Sequence, residues 1–249
     1  MRFAAIADIH GNSDALAAVL ADIDAQGVTD IVNLGDVASG PLDARRTIAM
    51  LMARDMVTVR GNHDRFLTDL TRDAMGPWEA DVHAQLGAVH LDWLRALPMT
   101  AVFRDSVFLC HATPHHDETY WLETVHPDGT VAMAPLAQIE QWAEGITQSL
   151  ILCGHSHLPR AVRLSDGRMI VNPGSAGCPG YYDPTHSVPH VVETGTPDAC
   201  YAILEQRDRQ WQVTFRHVPY DSTAMVAMAR EKGRKAWVSA LETGWVRRA

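Results

Sequence analysis

Five short stretches of this chain place acidic, histidine or asparagine side chains directly after an apolar run. They are Asp8-Ile9-His10, Gly35-Asp36, Arg60-Gly61-Asn62-His63-Asp64, Cys110-His111 and Gly154-His155-Ser156-His157. Taken singly, each stretch has an ordinary explanation, such as a helix cap, a turn or a hydrogen-bonded histidine. Capping does not explain why these residue types recur after five separate runs. Their recurrence predicts that the side chains meet at one metal site.

The residue types also limit which metals could bind. Carboxylate and amide oxygens mixed with imidazoles suit Mn, Fe, Zn, Co or Ni better than Ca, and the set is large enough for two divalent ions. Residues two apart on an extended segment point the same way. We therefore expect Asp8 with His10, and His155 with His157, each to present two ligands to one cavity.

The apolar pattern of the first third predicts the elements that position these residues. Strand-like runs at 3–7, 31–34 and 56–59 alternate with helical patterns at 16–23 and 41–52. Strands alternating with helices predict a largely parallel sheet whose loops gather at the carboxyl ends of the strands. A further helix is predicted over 79–97, where apolar residues at helical spacing form a packing stripe.

The second half of the chain has a different pattern. Paired apolar runs separated by polar turns predict hairpins at 101–110, 161–171 and 202–215, and a further strand is predicted at 149–153. This pattern favours two sheets over one. The stretch 178–199, rich in Pro, Gly, Thr and His, predicts a long loop, and 221–249 is predicted to be helical. We expect one domain over 1–249, with a motif-bearing core at 1–175, the loop at 178–199, and a hairpin and helix at 200–249.

Composition excludes some functions. A formal net charge of -9 argues against a surface that neutralises the backbone of long DNA or RNA. No signal-peptide pattern and no apolar stretch of membrane-spanning length is found, and the four cysteines form no C-x-x-C pair. We therefore expect a cytoplasmic protein with reduced thiols and no membrane association. Trp237, Leu241 and Trp245 could dock on the core or on a partner subunit, which leaves an oligomer open.

The five stretches resemble the motifs of the calcineurin-like metallophosphoesterase superfamily, which carries D-x-H, G-D, G-N-H-[D/E], a lone H and G-H-x-H in this order. The match covers the chain from Asp8 to His157. It implies an α/β fold with mixed α+β character, a four-layer α/β/β/α sandwich of two mixed sheets flanked by helices. Segments 35–41 and 171–175 further resemble a small bacterial and archaeal phosphodiesterase-like branch of that superfamily.

The resemblance also implies the roles of the site residues. One metal would be held by Asp8, His10 and His157, the other by Asn62, His111 and His155, and Asp36 would bridge both. Two ions about 3.5–4 Å apart can activate a water as hydroxide for attack on phosphorus. His63 would then be the proton donor to the leaving group, a role of about 10²–10⁴-fold in rate, although a turn histidine is the ordinary alternative.

The sequence does not decide the role of Arg60 or the identity of a carboxylate partner for His63. The Arg60 guanidinium could clamp a phosphate oxygen, or it could be a surface charge at a strand end. Protein-phosphatase relatives carry an Asp soon after the bridging residue, where this chain has Val37-Ala38-Ser39-Gly40. No partner carboxylate for His63 follows from this, and the adjacent Asp64 could point elsewhere. A metal-binding Tyr of purple acid phosphatases is replaced here by Ser39, so a tyrosinate-bound ferric ion is not expected.

Substrate choice should come from the loops that overhang the metals. Two candidates are 111–130, with Tyr120 and Trp121, and 178–199, with Tyr181 and Tyr182. Their aromatic rings could stack on a base or pack the loops onto the core. The function predicted from these observations is a metal-dependent phosphoesterase, a phosphodiesterase on small nucleotide-like substrates.

Four alternatives accompany this prediction. Within the enzyme class they are a phosphomonoesterase or a dinucleoside-polyphosphate hydrolase, and a nuclease, which would need a basic groove that the acidic composition does not favour. Outside it, a protein-binding scaffold of the same fold is the alternative, like the relative in the retromer coat that has lost ligands. A scaffold would not need His63 or both histidines of 154–157.

Overall fold

The computed structural model describes residues 1–247; Arg248 and Ala249, the end of the predicted helical segment, lie outside the described residues. The strands are β1 Arg2–Ile6, β2 Ile31–Asn33, β3 Val57–Thr58, β4 Thr100–Phe103, β5 Val107–Cys110, β6 Glu123–Val125, β7 Val131–Met133, β8 Leu150–Leu152, β9 Arg160–Arg163, β10 Met169–Asn172, β11 Gly180–Asp183, β12 His190–Glu193, β13 Ala199–Arg207 and β14 Gln210–Val218. The helices are α1 Ser13–Ala25, α2 Ala44–Met52, α3 Asn62–Asp69, α4 Pro77–His83, α5 Ala88–Ala96, α6 Leu136–Trp142, α7 Thr223–Glu231 and α8 Lys235–Thr243, with a short 3-10 helix at Arg72–Ala74.

Two five-stranded mixed sheets form the centre of the molecule. Their strand orders are β14-β13-β1-β2-β3 and β4-β5-β8-β10-β9. Each sheet contains three neighbouring parallel strands, β1-β2-β3 in one and β5-β8-β10 in the other. The five predicted ligand stretches follow β1, β2, β3, β5 and β8. Because parallel neighbours end at the same edge of a sheet, this topology gathers the stretches.

Three apolar clusters define four layers. Alternate residues of β1 point to opposite faces: Phe3 packs between the two sheets with Leu109 and Leu150, whereas Ile6 packs against Leu16 of α1. A third cluster joins the outer face of the second sheet to α6. The predicted α/β/β/α sandwich of two mixed sheets is therefore confirmed. Burial on both faces also explains why β1 reads as a continuous apolar run.

Two predicted helices have different bounds. The helix predicted over 79–97 is wrong as a single element, because α4 and α5 are separate and Gly87 is the N-cap of α5. Glycine is a poor residue for a helix interior, so it favours the break. The helix predicted from Pro41 begins at Ala44, where the Asp43 side chain accepts a hydrogen bond from the Arg46 amide at 3.1 Å.

The last third is more regular than predicted. The stretch predicted as a loop at 178–199 contains a hairpin, in which β11 and β12 pair antiparallel with Tyr182 opposite Val191. The segment after 221 is two helices that meet at Gly233, whose φ of 69° is one that glycine adopts without strain. The helices α7 and α8 pack on Leu42 and Cys178. Within residues 1–247, no helix has the length and apolar character needed to cross a membrane.

Candidate functional site

The predicted ligands lie on tight turns at the ends of the strands. Left-handed φ values between 50° and 68° occur at Asp8, His10, Asp36, His155 and His157. This region is uncommon for residues other than glycine and costs about 1–3 kcal/mol each when held there. The prediction that Asp8 with His10, and His155 with His157, project from extended segments was therefore wrong in its geometry. Strained turns, not pleated strands, aim these side chains.

The first cluster of side chains is Asp8, His10 and His157. One ligand atom of each lies within 4.8 Å of the others. His10 Nε2 is 3.1 Å from His157 Nε2, and His157 Nε2 is 3.6 Å from Asp8 Oδ1. All three residues are buried. These are donor separations across which a single cation could be shared.

The second cluster is Asp36, His111 and His155, again with one ligand atom of each within 4.8 Å of the others. Asn62 joins it, because its Oδ1 lies 3.1 Å from His111 Nε2. His155 and His157 thus fall in different clusters, as the resemblance implies, although both line one cavity as expected. Asp36 lies between the clusters: its Oδ2 is 3.3 Å from His111 Nε2 and 3.8 Å from His10 Nε2.

Hydrogen bonds behind the rings orient three of the histidines. His111 Nδ1 donates to the Leu34 carbonyl at 2.8 Å, and His157 Nδ1 donates to the Cys178 carbonyl at 2.8 Å. His10 Nδ1 is 2.8 Å from Ser39 Oγ. A ring that donates through Nδ1 keeps its Nε2 lone pair for a metal. His157 Nε2 therefore directs a lone pair toward His10 Nε2, and a cation between the two rings could be bound by both nitrogens. The donor set fits divalent metal binding.

Burial controls the charges of these groups. It lowers the pKa of His10 to about 3 and the pKa of His155 to about 3, which keeps both rings in the neutral form that binds metals. Burial raises the pKa of Asp8 to about 8. It also acts against charge on His111, but the adjacent Asp36 carboxylate outweighs it and raises the pKa of His111 to about 10. Anionic Asp36 among these rings therefore attracts positive charge.

The carboxylate partner of His63 is Glu79, a residue that sequence reasoning placed in a packing helix. His63 Nδ1 is 3.0 Å from Glu79 Oε1. Burial opposes protonation of His63, yet Asp36 and the hydrogen bond with Glu79 raise its pKa above the usual value. Glu79 is separated from the motifs in sequence, and no spacing rule points to it. The available signal was an acidic side chain in register with the apolar stripe, three residues before Val82.

Asp64 binds backbone amides and is not the carboxylate partner of His63. Its buried carboxylate accepts hydrogen bonds from the backbone amides of Asp36 at 2.8 Å, Val37 at 3.0 Å and Gly61 at 3.0 Å. It therefore ties the turn after β2 to the turn after β3. Close approach of these turns also explains Gly61, because a Cβ at that position would overlap Asp36.

The structure does not bring Arg60 to the site. Its Nη1 lies 3.5 Å from Asp69 Oδ1 at the end of α3, and it is not among the residues that line the cleft above the clusters. The guanidinium has an acidic partner on the surface of α3. The alternative of a surface charge at a strand end describes this geometry better than a phosphate clamp.

A cleft of about 590 Å³ opens above the two clusters, a size suited to a small molecule. Its walls are largely aromatic: Phe66, Trp78, Tyr120, Tyr181, Tyr182 and Trp237 line it. The acidic residues Glu79, Glu118 and Asp183 also line it, and none of the described lining residues is Lys or Arg. Trp121, by contrast, is buried in the core, where its Nε1 donates to the Ile139 carbonyl at 3.0 Å.

Two tyrosines of the wall are fixed by hydrogen bonds. Tyr120 Oη is 2.6 Å from Tyr181 Oη and 2.8 Å from His190 Nε2. The Tyr181 ring lies edge-on to His157, with ring centroids 4.7 Å apart. His190 is fully buried in this network. The hairpin β11-β12 thus brings Tyr181 against His157 of the first cluster and places Tyr182 in the wall of the cleft.

Comparison with known proteins gives concordant matches. A model of the calcineurin-like phosphoesterase superfamily domain matches residues 1–195. An uncharacterised protein of Methanocaldococcus jannaschii is 26% identical over 247 residues, covering 88% of this chain and 87% of that protein. A crystal structure of a metallophosphoesterase from Sphaerobacter thermophilus is 27% identical and has a TM-score of 0.73, covering 98% of this chain and all of the other. A putative diadenosine tetraphosphatase, 16% identical with a TM-score of 0.53, covers 86% of this chain and 93% of its own and shares the fold.

Proposed function

The chain belongs to the calcineurin-like phosphoesterase superfamily and is a metallophosphoesterase, and from this premise we propose that it is a phosphodiesterase acting on small nucleotide-like diesters. One observation carries the choice within the class. The two clusters of metal-binding side chains form the floor of a cleft whose walls are aromatic and acidic, with no Lys or Arg among the described lining residues. The cleft suits a substrate with little charge beyond the reacting phosphate.

We propose two divalent ions, with Mn among the candidates beside Fe, Zn, Co and Ni. Asp8, His10 and His157 would hold one ion, Asn62, His111 and His155 the other, and Asp36 would bridge them. When bound, two such ions lower the pKa of a water and neutralise charge on the phosphate. The support is the geometry of the clusters and the outward hydrogen bonds of the histidines, which keep Nε2 directed inward.

His63 is the proposed proton donor to the leaving group. Its backbone amide donates to Asp36 Oδ1 at 3.0 Å, and its ring lies edge-on to His10 with centroids 5.5 Å apart. The ring therefore stands beside the clusters and faces the cleft that the substrate would enter. Protonation favoured by Asp36 and Glu79 makes it a suitable acid.

The charge of the cleft favours a diester over a phosphomonoester or a polyphosphate. A phosphomonoester carries about −1.5 to −2 charges at neutral pH, whereas a diester carries about one. Asp183 on the wall repels additional negative charge, whereas Glu118 is paired with the Arg65 guanidinium. None of the described lining residues is Lys or Arg, so the walls supply no positive side chain for a second phosphate charge. Aromatic walls contribute instead by stacking on a base, about 1–3 kcal/mol for each contact.

The test compares bis(p-nitrophenyl) phosphate with p-nitrophenyl phosphate after chelation and Mn²⁺ add-back, for the wild type, His63→Ala and Asp36→Asn. We expect diester turnover that returns with metal, exceeds monoester turnover, and is lost in Asp36→Asn. In His63→Ala it should fall only slightly, because p-nitrophenolate leaves readily without a proton. Preference for the monoester would move the protein to the phosphatases. No turnover of either substrate, with no tightly bound metal, would overturn the proposal and favour a scaffold. A cytoplasmic location stays a prediction from the sequence.

A further inference from the structure

We propose that Glu79 is the positioning residue of His63, supplying from α4 the carboxylate that orients this histidine toward the leaving group. The inference rests on the proposed function, because it assumes that His63 donates a proton during diester hydrolysis. It goes beyond that function by naming a residue outside the motif stretches on which the reaction depends.

The contact itself is well placed for this task. Glu79 is 7% exposed, and its Oε1 is 3.0 Å from His63 Nδ1. Rings on both sides limit rotation of the histidine: His10 and Phe66 each lie edge-on to it, with centroids 5.5 Å and 5.6 Å away. With Nδ1 bonded to Glu79, Nε2 is the ring nitrogen that serves the substrate.

Among the described residues, the acids next to His63 in sequence or in the motif turns have other tasks. The turn after β2 offers Val37-Ala38-Ser39-Gly40, which contains no carboxylate. Asp64, the neighbour in sequence, accepts three backbone hydrogen bonds that hold the turns together. Asp36 is directed to the metal clusters, although one of its oxygens accepts the His63 amide. A carboxylate from a separate helix is thus the group that meets Nδ1.

The position of Glu79 depends on a distant part of the chain. Its neighbour Trp78 packs edge-on against Trp237 of α8, with ring centroids 6.1 Å apart. Trp237 also lies edge-on to His10, with centroids 6.1 Å apart. The α7-α8 segment follows the family-matched region 1–195. Contacts contributed by this chain's own C-terminal helices therefore help to hold α4 and Glu79 in place.

In the proposed hydrolysis, His63 supplies the proton that the leaving oxygen needs. A water oxygen forms a bond to phosphorus while the bond from phosphorus to the leaving oxygen breaks, and the leaving oxygen keeps the electron pair. The proton on His63 Nε2 passes to that oxygen, giving an alcohol, and the attacking water releases a proton to solvent. Glu79 holds Nδ1–H throughout and stabilises the charged imidazolium before transfer. Solvent then returns a proton to Nε2.

Two substrates with different leaving groups can distinguish a positioning role of Glu79 from a merely structural one. An alkoxide needs a proton as it departs, whereas p-nitrophenolate departs readily without one. We would compare a nucleoside 2′,3′-cyclic phosphate, followed by chromatography, with bis(p-nitrophenyl) phosphate, both with Mn²⁺. Glu79→Gln should lower kcat for the cyclic phosphate about 10–100-fold, a part of the full general-acid effect. The nitrophenyl diester should change less than about 3-fold, and KM should stay the same for both.

Three variants complete the design. His63→Ala should lower kcat for the cyclic phosphate more than Glu79→Gln does, and should again change the nitrophenyl diester little. Glu79→Asp, which retains the charge on a shorter side chain, should recover part of the rate. As a control, Asp22→Asn makes the same carboxylate-to-amide change on α1, away from the cleft, at a carboxylate that is hydrogen-bonded to Arg216. It should change neither kcat nor KM for either substrate. Equal losses on both substrates in Glu79→Gln, or no loss, would overturn the inference.

A spectroscopic measurement tests the contact without any metal. In ¹⁵N-histidine-labelled protein, the Nδ1–H proton of His63 should give a downfield signal that Glu79→Ala removes and Asp22→Asn retains. Its persistence in Glu79→Ala would overturn the inference. Absence of metal-dependent diester turnover in the wild type would instead refute the proposed function, and with it the catalytic part of this proposal. The two failures are therefore distinguishable.

Discussion

The floor and the walls of the cleft are built from different kinds of structure. The floor consists of turns after parallel strands, with buried acids and histidines in strained backbone conformations. The walls come from helices α3, α4 and α8, from the hairpin β11-β12 and from the loop between β5 and β6 that carries Tyr120, and present mainly aromatic rings. Floor residues lie in the motif stretches shared with the superfamily, whereas Trp237 lies beyond the family-matched region 1–195.

This difference separates reaction from recognition. The floor positions donor atoms through backbone hydrogen bonds and tight turns, which tolerate little change. The walls depend on side-chain packing, which can vary while the floor stays intact. We expect floor variants to change metal binding and kcat, and wall variants to change KM and substrate preference. The following variants test this division, beginning with the largest expected effect.

Replacement of the residue between the clusters should be the most damaging. Asp36→Asn removes the anionic oxygen that lies 3.3 Å from His111 and 3.8 Å from His10. We expect at least about 100-fold loss of kcat, beyond the usual effect of groups behind the ligands, and less bound metal by elemental analysis. The control Asp24→Asn, at an exposed ion pair with Arg54, should retain both. Full metal content in Asp36→Asn would mean that Asp36 is not a ligand.

A second floor variant changes no donor atom. Gly61→Ala adds a Cβ that would overlap Asp36, so the turns after β2 and β3 must separate. We expect metal affinity to fall about 10–100-fold, together with a lower melting temperature. Gly87→Ala is a matched control, because its Cβ would meet only His90 Nδ1 at 3.8 Å. Equal metal affinity in the two variants would show that close packing of the turns is not needed for the floor.

A wall variant should affect recognition alone. Tyr182→Ala removes a ring that lines the cleft from β11, and stacking on a base is worth about 1–3 kcal/mol. We expect KM for thymidine 5′-(p-nitrophenyl) phosphate to rise about 5–100-fold with kcat unchanged. Methyl p-nitrophenyl phosphate, which lacks the base, is the control substrate and should keep its KM. A similar change in KM for both substrates would contradict base stacking.

The smallest effect should come from a polar contact outside both regions. Asp22 accepts hydrogen bonds from Arg216 at 2.6 Å and Tyr201 at 2.6 Å, and these lower its pKa. A pKa lower in the folded than in the unfolded chain means that the stabilisation is present at neutral pH and is lost as pH falls through the folded-state pKa. Asp22→Asn should therefore reduce the free energy of unfolding by about 1 kcal/mol at pH 7.

Urea unfolding at pH 7 and at acidic pH measures this contribution. The difference between wild type and Asp22→Asn should shrink at low pH, while metal affinity and turnover at pH 7 remain unchanged. A difference that is independent of pH would mean that the Asp22 charge does not stabilise the fold. Altered metal affinity would instead mean that the floor responds to contacts far from it.

Much of the fold and of the floor followed from local patterns. Apolar runs predicted the strands because burial on one or both faces constrains residue type over short distances, as at β1 and β8. The helix breaks near Gly87 and Gly233 were missed because a continuous apolar stripe outweighed single glycines. The hairpin at 180–193 was missed because its turn-rich composition resembles a loop, although β11 and β12 pair over four residues each.

By itself, the sequence determined that acids and histidines follow successive strands, and predicted that they meet at one metal site. The structure places these strands in two sheets whose strand ends meet at the site. The resemblance to the superfamily already implied that His155 and His157 belong to different metal sites. The tertiary structure adds that left-handed turns, and not an extended chain, carry these two histidines. It alone also assigned Glu79 to His63 and Arg60 to Asp69. The positions of strands along the chain and the burial of their residues are reflected in local residue types. Contacts between helices depend on how separate elements pack, and no spacing rule within the sequence predicts them.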